Sequence, residues 1–321
     1  QEVLSPCTIC PEGCSARQWL RSERIIAARM NSFNPEDRLC AIGRFAYPQI
    51  VNIPDRLKKP MIKENGDLIP VEWDQAVHKA AEKLTAYRDG QFAVIINEAE
   101  SRETKYLYEK LGKEVMQGQV AYVPADSGMD DIKPGNLKND LREGKIKAVL
   151  VTGNYLDREA MENLECLVVA DFHGSPAAAE CDVLFPAAVL SEVEGTYRNS
   201  YGEVKQVTKT TEPPGEARPE WMIARDLARA LGAGEGFAQN SARSITPKVE
   251  HDQPPAAVKG RPRDSLADLP ERFRGHYIAD LVCALEAMGL PTSPKSPEPE
   301  SLSQGFPVLE HEELAPNFQW L

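Results

Sequence analysis

Four cysteines crowd into the first 40 residues. Cys7-Thr8-Ile9-Cys10-Pro11-Glu12-Gly13-Cys14 places three thiols in one tight loop, and Cys40 returns 26 residues beyond Cys14. Four thiolates suit an iron–sulfur cluster or a zinc ion. A run of three with one remote ligand fits a [4Fe–4S] cube, whereas structural zinc usually takes two separated Cys-x-x-Cys knuckles. The spacing therefore assigns Cys7, Cys10, Cys14 and Cys40 as cofactor and metal ligands of a [4Fe–4S] cluster, with zinc as the alternative. Cys166, Cys181 and Cys283 stand alone and read as small buried apolar residues. Seven cysteines, an odd count, do not make a secreted disulfide framework, so the expected compartment is reducing and cytoplasmic.

Other reactive groups carry less. Glu98, Glu100 and Glu103 resemble paired carboxylates, yet they enter a helix, where acidic side chains favour the N-terminal dipole, and a solvated helix start is expected. Gly153-Asn154 reads as a strand-to-helix turn, with a nucleotide contact at the sheet's carboxyl edge as the alternative. His78 and His173 read as solvated or hydrogen-bonded surface histidines. Gly-x-Gly-x-x-Gly, Walker and Gly-x-Ser-x-Gly patterns do not occur.

The elements that must position the cysteines are legible in the periodicity. Residues 15–31 read as a hairpin turning at Ser22-Glu23, which sets the early cysteines beside a small sheet. Trp73, Ala76, Val77, Ala80, Ala81 and Leu84 recur at helical spacing. From there strands at 92–96, 120–123, 148–152, 167–170 and 183–185 alternate with helices at 103–113, 137–143 and 158–163. Apolar runs with little alternation indicate strands buried on both faces, hence a mostly parallel Rossmann-like sheet with helices on either side. A second hairpin flanks Tyr201-Gly202, and 219–231 carries a further amphipathic helix.

The expected fold class is thus α/β, in three parts: a cluster domain at 1–60, a Rossmann-like domain at 61–232 and an extended Pro-rich tail at 233–321. The tail carries one amphipathic helix over 277–288 and ends in Phe306-Pro307-Val308-Leu309 and Phe318-Gln319-Trp320-Leu321, apolar anchors suited to docking on a partner.

At 321 residues the chain is long enough for two domains of ordinary size. The 37 Lys plus Arg against 49 Asp plus Glu leave a formal charge of −12, which repels nucleic acid and anionic lipid. No apolar run approaches the roughly 18 residues of a spanning helix, so direct membrane insertion is not expected. Gln1 in place of an initiator Met fits a chain with residues removed upstream, and neither a secretory leader nor a twin-Arg signal is present.

The cysteine pattern, followed by Leu39-Cys40-Ala41-Ile42-Gly43-Arg44-Phe45, Pro54-Asp55-Arg56-Leu57 and Pro70-Val71-Glu72-Trp73-Asp74, resembles the molybdopterin oxidoreductases. That family includes formate dehydrogenase catalytic subunits and the large iron–sulfur subunit of respiratory NADH dehydrogenase. The resemblance resumes at Asp182-Val183-Leu184-Phe185-Pro186, Glu194-Gly195-Thr196-Tyr197-Arg198-Asn199 and Pro214-Gly215-Glu216-Ala217-Arg218-Pro219. It implies a [4Fe–4S] domain followed by Rossmann-like domains that, in catalytic members, clamp two pterin dinucleotides around molybdenum or tungsten.

Departures from the family pattern bear on function. Catalytic relatives commonly place Lys or Arg two residues after the fourth cluster Cys; Ile42 stands there, with Arg44 two residues beyond. Only about 90 residues separate Leu84 from Phe172, where catalytic members insert a domain bearing the metal ligand, and His173 lacks a preceding Cys. Residues 233–321 show no run of strand signals for a closing barrel. The resemblance so qualified implies a degenerate scaffold without catalytic residues, with molybdopterin and Mo/W absent. The expected role is an electron-transfer subunit in a hetero-oligomer with flavin- or iron–sulfur-containing redox subunits of NADH dehydrogenase, formate dehydrogenase or heterodisulfide reductase type. A compact Mo/W-pterin enzyme completed by partner chains, or an interaction subunit with a purely structural cluster, are the alternatives.

Overall fold

The structure, a computed structural model, describes residues 1–9, 12–31, 39, 42–124, 129–199 and 202–252. The sequence readings on Cys10, Cys40, Cys283, the helix at 277–288 and the terminal apolar anchors lie outside them.

The chain opens with three antiparallel strands, β1 (Glu2–Pro6), β2 (Ser15–Arg21) and β3 (Arg24–Met30), in that spatial order. The predicted turn falls at Ser22 and Glu23, both in the left-handed region at φ 49° and 63°, as a tight two-residue hairpin requires. Alternation then sorts the side chains: Ala16, Gln18 and Ala28 are buried beneath the sheet, while Arg17, Trp19 and Arg29 face away. A π-helical turn over Ile42–Ala46 and α1 (Tyr47–Val51) pack under β3, so that Ile25, Leu39, Tyr47 and Val51 form a small core around Cys7.

The larger unit starts with a hairpin, β4 (Met61–Glu64) and β5 (Asp67–Pro70), followed by α2 (Trp73–Thr85). The expected alternation follows: β6 (Phe92–Asn97), α3 (Arg102–Lys110), β7 (Gln119–Val123), α4 (Asn136–Arg142), β8 (Ala148–Thr152), α5 (Arg158–Glu162), β9 (Cys166–Asp171), α6 (Pro176–Glu180) and β10 (Val183–Pro186). These form one seven-stranded sheet in the order β5-β4-β10-β9-β8-β6-β7. The run from β10 to β7 is parallel throughout, and β4 and β5 add antiparallel strands at one edge. The fold is therefore mixed α/β with a mostly parallel central sheet.

Every residue of β8 and β9 is buried, as expected for strands covered on both faces. One face packs on α2 and α3 through Leu84 and Leu107 and on the turn after α3 through Leu111, the other on α4, α5 and α6 through Leu137, Ala160 and Ala178. Cys166 and Cys181 lie in these two cores, as the sequence reading expected. Strand order reverses between β6 and β8, which leaves a crevice outside their carboxyl ends.

A second hairpin, β11 (Gly195–Arg198) and β12 (Val204–Val207), packs against α3 and β1. It leads to α7 (Glu220–Ala230), which packs on α2 and α3. Packing then continues past Gly232, where the sequence reading closed the folded unit: Phe237, together with Ile245 and Val249 of α8 (Ala242–Asp252), is buried in the same core as α7. The reason is physical. Ala242, Ile245 and Val249 recur at helical spacing, and this single apolar stripe holds a helix that is otherwise mostly polar.

Among the described residues, no helix is long and apolar enough to cross a membrane. Ending the chain at Gly232 should destabilise it by about 5 kcal/mol relative to a chain ending at Asp252, from the lost burial of Phe237, Ile245 and Val249. Urea unfolding of the two truncated chains measures the difference; equal midpoints would show that α8 adds nothing to the core.

Candidate iron–sulfur loop and the adjoining cleft

The cysteine loop is a continuation of the first hairpin. Pro6 on β1 is paired with Ser15 on β2, and one step further the Cys7 amide donates to the Cys14 carbonyl at 2.7 Å. Cys7 and Cys14 are thereby fixed opposite each other at the mouth of the loop. Cys7 is buried and Cys14 half-buried.

Two glycines set how closely the surroundings approach. Gly13 has φ +58°, and a Cβ there would meet Tyr197 Cε1 at 2.7 Å, so the loop lies directly on the β11–β12 hairpin. A Cβ on Gly43 would lie 2.6 Å from Leu39 Cδ1 and 3.2 Å from Cys7 Sγ. Leu39 and Gly43 flank Cys40 in sequence, and both meet around the Cys7 thiol. This donor set fits a thiolate-ligated cluster, although among the described residues no group of three or more His, Cys, Asp or Glu side chains gathers as a metal site. Cys10 and Cys40 lie outside the described residues.

Tyr47 shields the loop from beneath. Its hydroxyl accepts from Gln18 Nε2 at 3.1 Å, and burial, then the neighbouring Cys7 thiolate, pushes the phenol well above its usual range. It therefore stays neutral at any physiological pH. Arg44, two residues beyond the position where catalytic relatives carry a cation, is exposed and stacks near the Phe45 ring at 5.5 Å.

A buried ion pair ties the segment after α1 to the sheet. Arg56 donates to Glu192 Oε1 and Oε2, both at 2.7 Å, with the two side chains only 4% and 3% exposed. Its guanidinium also reaches the carbonyls of Phe172 at 3.2 Å and Val51 at 3.4 Å, and Glu192 accepts from the Val189 amide at 2.9 Å. The end of α1, the end of β9 and the turn after β10 thus converge on one pair.

Between the loop and the sheet lies a cleft of about 120 Å³. Thr8 and Ile9 of the loop line one side; Asn97, Thr152 and Gly153, at the carboxyl ends of β6 and β8, line the other. At this reversal of strand order the Asn97 amide donates to Thr152 Oγ1 at 2.8 Å. Asn154 accepts from the Ala177 amide at 3.1 Å, so Gly153-Asn154 acts as the strand-to-helix turn that positions α6.

The cleft's charged lining is acidic: Glu100 and Glu220 both line it, and no Lys or Arg does among the described residues. Burial pushes Glu100 up to about 7. Burial and the nearby Glu100 and Asp171 carboxylates push Glu220 well above its usual range. Burial also lowers Lys105 to about 8, against the raising effect of Glu98 and Glu100. Ligand pockets for drug-sized molecules usually run from about 300 Å³ upward. The cleft is smaller than that.

Several residues singled out in the sequence turn out to be scaffold. Glu103 is not a solvated helix start: it is fully buried, accepting from the Thr196 amide and hydroxyl and from Thr246 Oγ1, each at 2.8 Å. A Cβ on Gly195 would sit 2.7 Å from Glu103 Oε2, which accounts for the glycine in Glu194-Gly195-Thr196. His78 is exposed on α2, whereas His173 is buried, with Nδ1 2.6 Å from the Gly174 carbonyl. Three of the sequence blocks meet at Trp73. Its ring stacks on Phe185 with centroids 5.6 Å apart, Arg218 covers it at 4.2 Å, and its indole nitrogen donates to the Glu216 carbonyl at 2.9 Å. Burial pushes the Cys166 and Cys181 thiols up to about 12, leaving them inert as nucleophiles.

The model of the molybdopterin oxidoreductase family matches residues 56–130 and 126–230, and the chain belongs to that family. Among curated relatives, it is 38% identical over 92 residues to the F420-dependent formate dehydrogenase 2 subunit alpha of Methanococcus maripaludis, an alignment covering 29% of this chain and 14% of that protein. It is 35% identical over 96 residues to the F420-dependent formate dehydrogenase subunit alpha of Methanocaldococcus jannaschii, covering 30% and 14%. The chain thus spans about one-seventh of the length of either relative. The solved acetylene hydratase from Pelobacter acetylenicus shares the fold at a TM-score of 0.53 and 11% identity, over 92% of this chain and 80% of that one.

Two outcomes follow from the electrostatics. Arg56→Ala leaves Glu192 buried without its cation and should destabilise the fold by about 3–5 kcal/mol, whereas Arg56→Met with Glu192→Leu should cost less than either single change. Urea titrations of the three variants test this, and additive losses would refute it. Glu100, with its folded value above the ordinary carboxylate range, holds a proton in the folded state that the unfolded chain has already released. Stability should therefore be full below pH ~4.5 and fall as pH rises through ~7. Glu100→Gln should flatten that slope in melting curves taken at a series of pH values.

Proposed function

We propose that this chain is an iron–sulfur electron-transfer subunit of a multisubunit oxidoreductase, built on a molybdopterin-oxidoreductase scaffold that does not itself carry out catalysis. The observation that carries the reading is the loop geometry: Cys7 and Cys14 pinned face to face, with the two neighbours of the Cys40 segment, Leu39 and Gly43, packed against the Cys7 thiol. Cys7, Cys10, Cys14 and Cys40 would hold a [4Fe–4S] cluster, which supplies one-electron transfer.

This chain's own residues then set the conditions for that transfer. The 2.7 Å backbone hydrogen bond from the Cys7 amide to the Cys14 carbonyl fixes the backbone that carries both thiols. Tyr47, Leu39 and Val51 keep water from the buried side, and the low polarity there favours the less charged oxidation state. Tyr47, held neutral, adds no charge of its own.

Absence of a bound pterin, molybdenum or tungsten is part of the proposal, supported by the volume and the acidic lining of the cleft. The formate dehydrogenase relatives suggest the kind of assembly. Flavin- or iron–sulfur-containing subunits would exchange electrons with this chain in a cytoplasmic hetero-oligomer, and residues 253–321 would dock on them.

Metal analysis of the purified full chain provides the test. Expected are about four iron and four acid-labile sulfide per chain, with molybdenum and tungsten near zero. Cys10→Ser and Cys40→Ser should each bleach the broad visible absorption of the cluster. Zinc without sulfide would refute the cluster, and stoichiometric pterin with molybdenum or tungsten would favour a compact catalytic subunit instead.

A further inference from the structure

The first sheet has an outer face whose chemistry is unlike that of the rest of the chain. Cross-strand pairing sets Glu2, Trp19 and Ala27 in one outward row and Leu4, Arg17 and Arg29 in the next. Beyond the bulge at Trp19/Leu20, Arg21 pairs with Arg24. Among the described residues the face thus gathers four guanidinium groups, with the carboxylates of Glu2 on the strands and Glu23 in the turn between Arg21 and Arg24, on a chain whose formal charge is −12. Amid these cations Leu4, Trp19 and Ile26 are 49%, 37% and 55% exposed.

Its geometry is already organised. Arg29 lies over the Trp19 ring at 4.3 Å, and Arg17 is held by Glu2 at 2.9 Å and by the Asn31 carbonyl at 3.1 Å. Trp and Arg are the residues that most often dominate binding energy at interfaces, and holding them in place beforehand lowers the entropy lost on association. The opposite face, Ala16, Gln18 and Ala28, is buried on the cluster core. Among the described residues nothing covers the outer one.

We propose that this face docks an acidic one-electron carrier protein of the ferredoxin class, a reading that rests on the electron-transfer role proposed above. Charge selects the occupant. A second copy meeting the face about a two-fold axis would set arginine against arginine. A partner with carboxylates around an apolar centre meets both the guanidinium groups and the Trp19 surface, and is steered to this basic face of a chain whose formal charge is −12. Position agrees with charge: Cys7 follows the last residue of β1 and Cys14 precedes the first of β2, so the docked carrier would sit on the strands that hold the cysteine loop. One electron would pass from the reduced carrier to the oxidised cluster, with no bond made or broken in the protein.

The test uses the full chain loaded with its cluster and, as probe, a reduced acidic [2Fe–2S] ferredoxin in stopped flow. The second-order rate should fall about tenfold or more as salt rises from roughly 0.05 to 0.5 M. Arg17→Glu with Arg29→Glu should slow it about tenfold at low salt, and Trp19→Ala should slow it at every salt concentration. Photoreduction of the same proteins by a deazaflavin reports the cluster independently of docking and should be unchanged. If the wild-type chain shows no reducible cluster under deazaflavin, the electron-transfer reading fails and takes this one with it. Variants photoreduced normally and reduced by ferredoxin as fast as the wild type would overturn the docking face alone. A faster ferredoxin rate after removal of residues 296–321, reversed by adding that segment as a peptide, would assign the face to the chain's own acidic terminus and equally overturn the proposal. Arg21→Glu supplies a second charge reversal should the double variant lose its cluster.

Discussion

The way the segment after α1 meets the sheet depends on the Arg56–Glu192 pair. Two full charges at 4% and 3% exposure are expensive to bury, and attraction offsets that cost only where the geometry is good and the remaining donors are satisfied. Here the guanidinium is bidentate to Glu192 and spends further donors on backbone carbonyls that belong to three different segments. Such a pair contributes less to net stability than to position. An apolar pair could slide against its neighbours, whereas a planar fork locked to one carboxylate and to the ends of α1, β9 and β10 permits a single relation between the first hairpin and the sheet edge.

That fixed relation explains why a cleft persists at the carboxyl ends of β6 and β8 and why its charge state matters. The parallel sheet leaves a crevice wherever strand order reverses, and the loop residues Thr8 and Ile9 are held above it. In a polar ligand site the burial of Glu100 and Glu220 would be relieved by cations. Here both acids are pushed toward their neutral forms, and Lys105 is pushed toward its neutral form beside them. The region therefore carries less charge than its formula suggests. Among the described residues no Lys or Arg lines the walls of the cleft.

Much of the fold was legible because the central strands are apolar runs with no alternation, a pattern that only double-sided burial explains. The predicted 148–152 strand matches Ala148–Thr152, and the predicted turn at Ser22-Glu23 lies where φ becomes positive. The edge strands β4 and β5 were missed, since Met61-Ile62-Lys63-Glu64 is short and half polar. Their signal was the Asn65-Gly66 turn, whose φ values of 52° and 96° are those that dipeptide favours. Burial of Glu103 could not be read locally: a carboxylate in a first helical turn is ordinarily solvated, and the residues that enclose it, Thr196 and Thr246, come from distant parts of the chain. For α8 the polar composition and the internal Pro247 concealed the short apolar stripe of Ala242, Ile245 and Val249. Of the four cysteines assigned as ligands from their spacing, Cys7 and Cys14 face each other across the loop mouth, and Cys10 and Cys40 fall outside the described residues.

Close approach, more than apolar mass, holds the N-terminal unit together. Its core contains Cys7, Ala16, Ile25, Ala28, Leu39, Tyr47 and Val51, in which only Ile25, Leu39, Tyr47 and Val51 are large. A core of that size contributes too little burial to offset the ordering of some fifty residues. The remaining stability has to come from what the unit is fastened to. Gly13 lets the loop lie on Tyr197, and Gly195 in turn lets that hairpin close on Glu103. Gly43 brings the segment after Cys40 against the Cys7 sulfur. Small domains of this kind commonly rely on metal ligation as well, because ligand binding absent from the unfolded chain adds directly to folding free energy. The same residues that would position an electron-transfer centre would then also be the ones that need it to fold, which couples the structural and the redox roles of the loop.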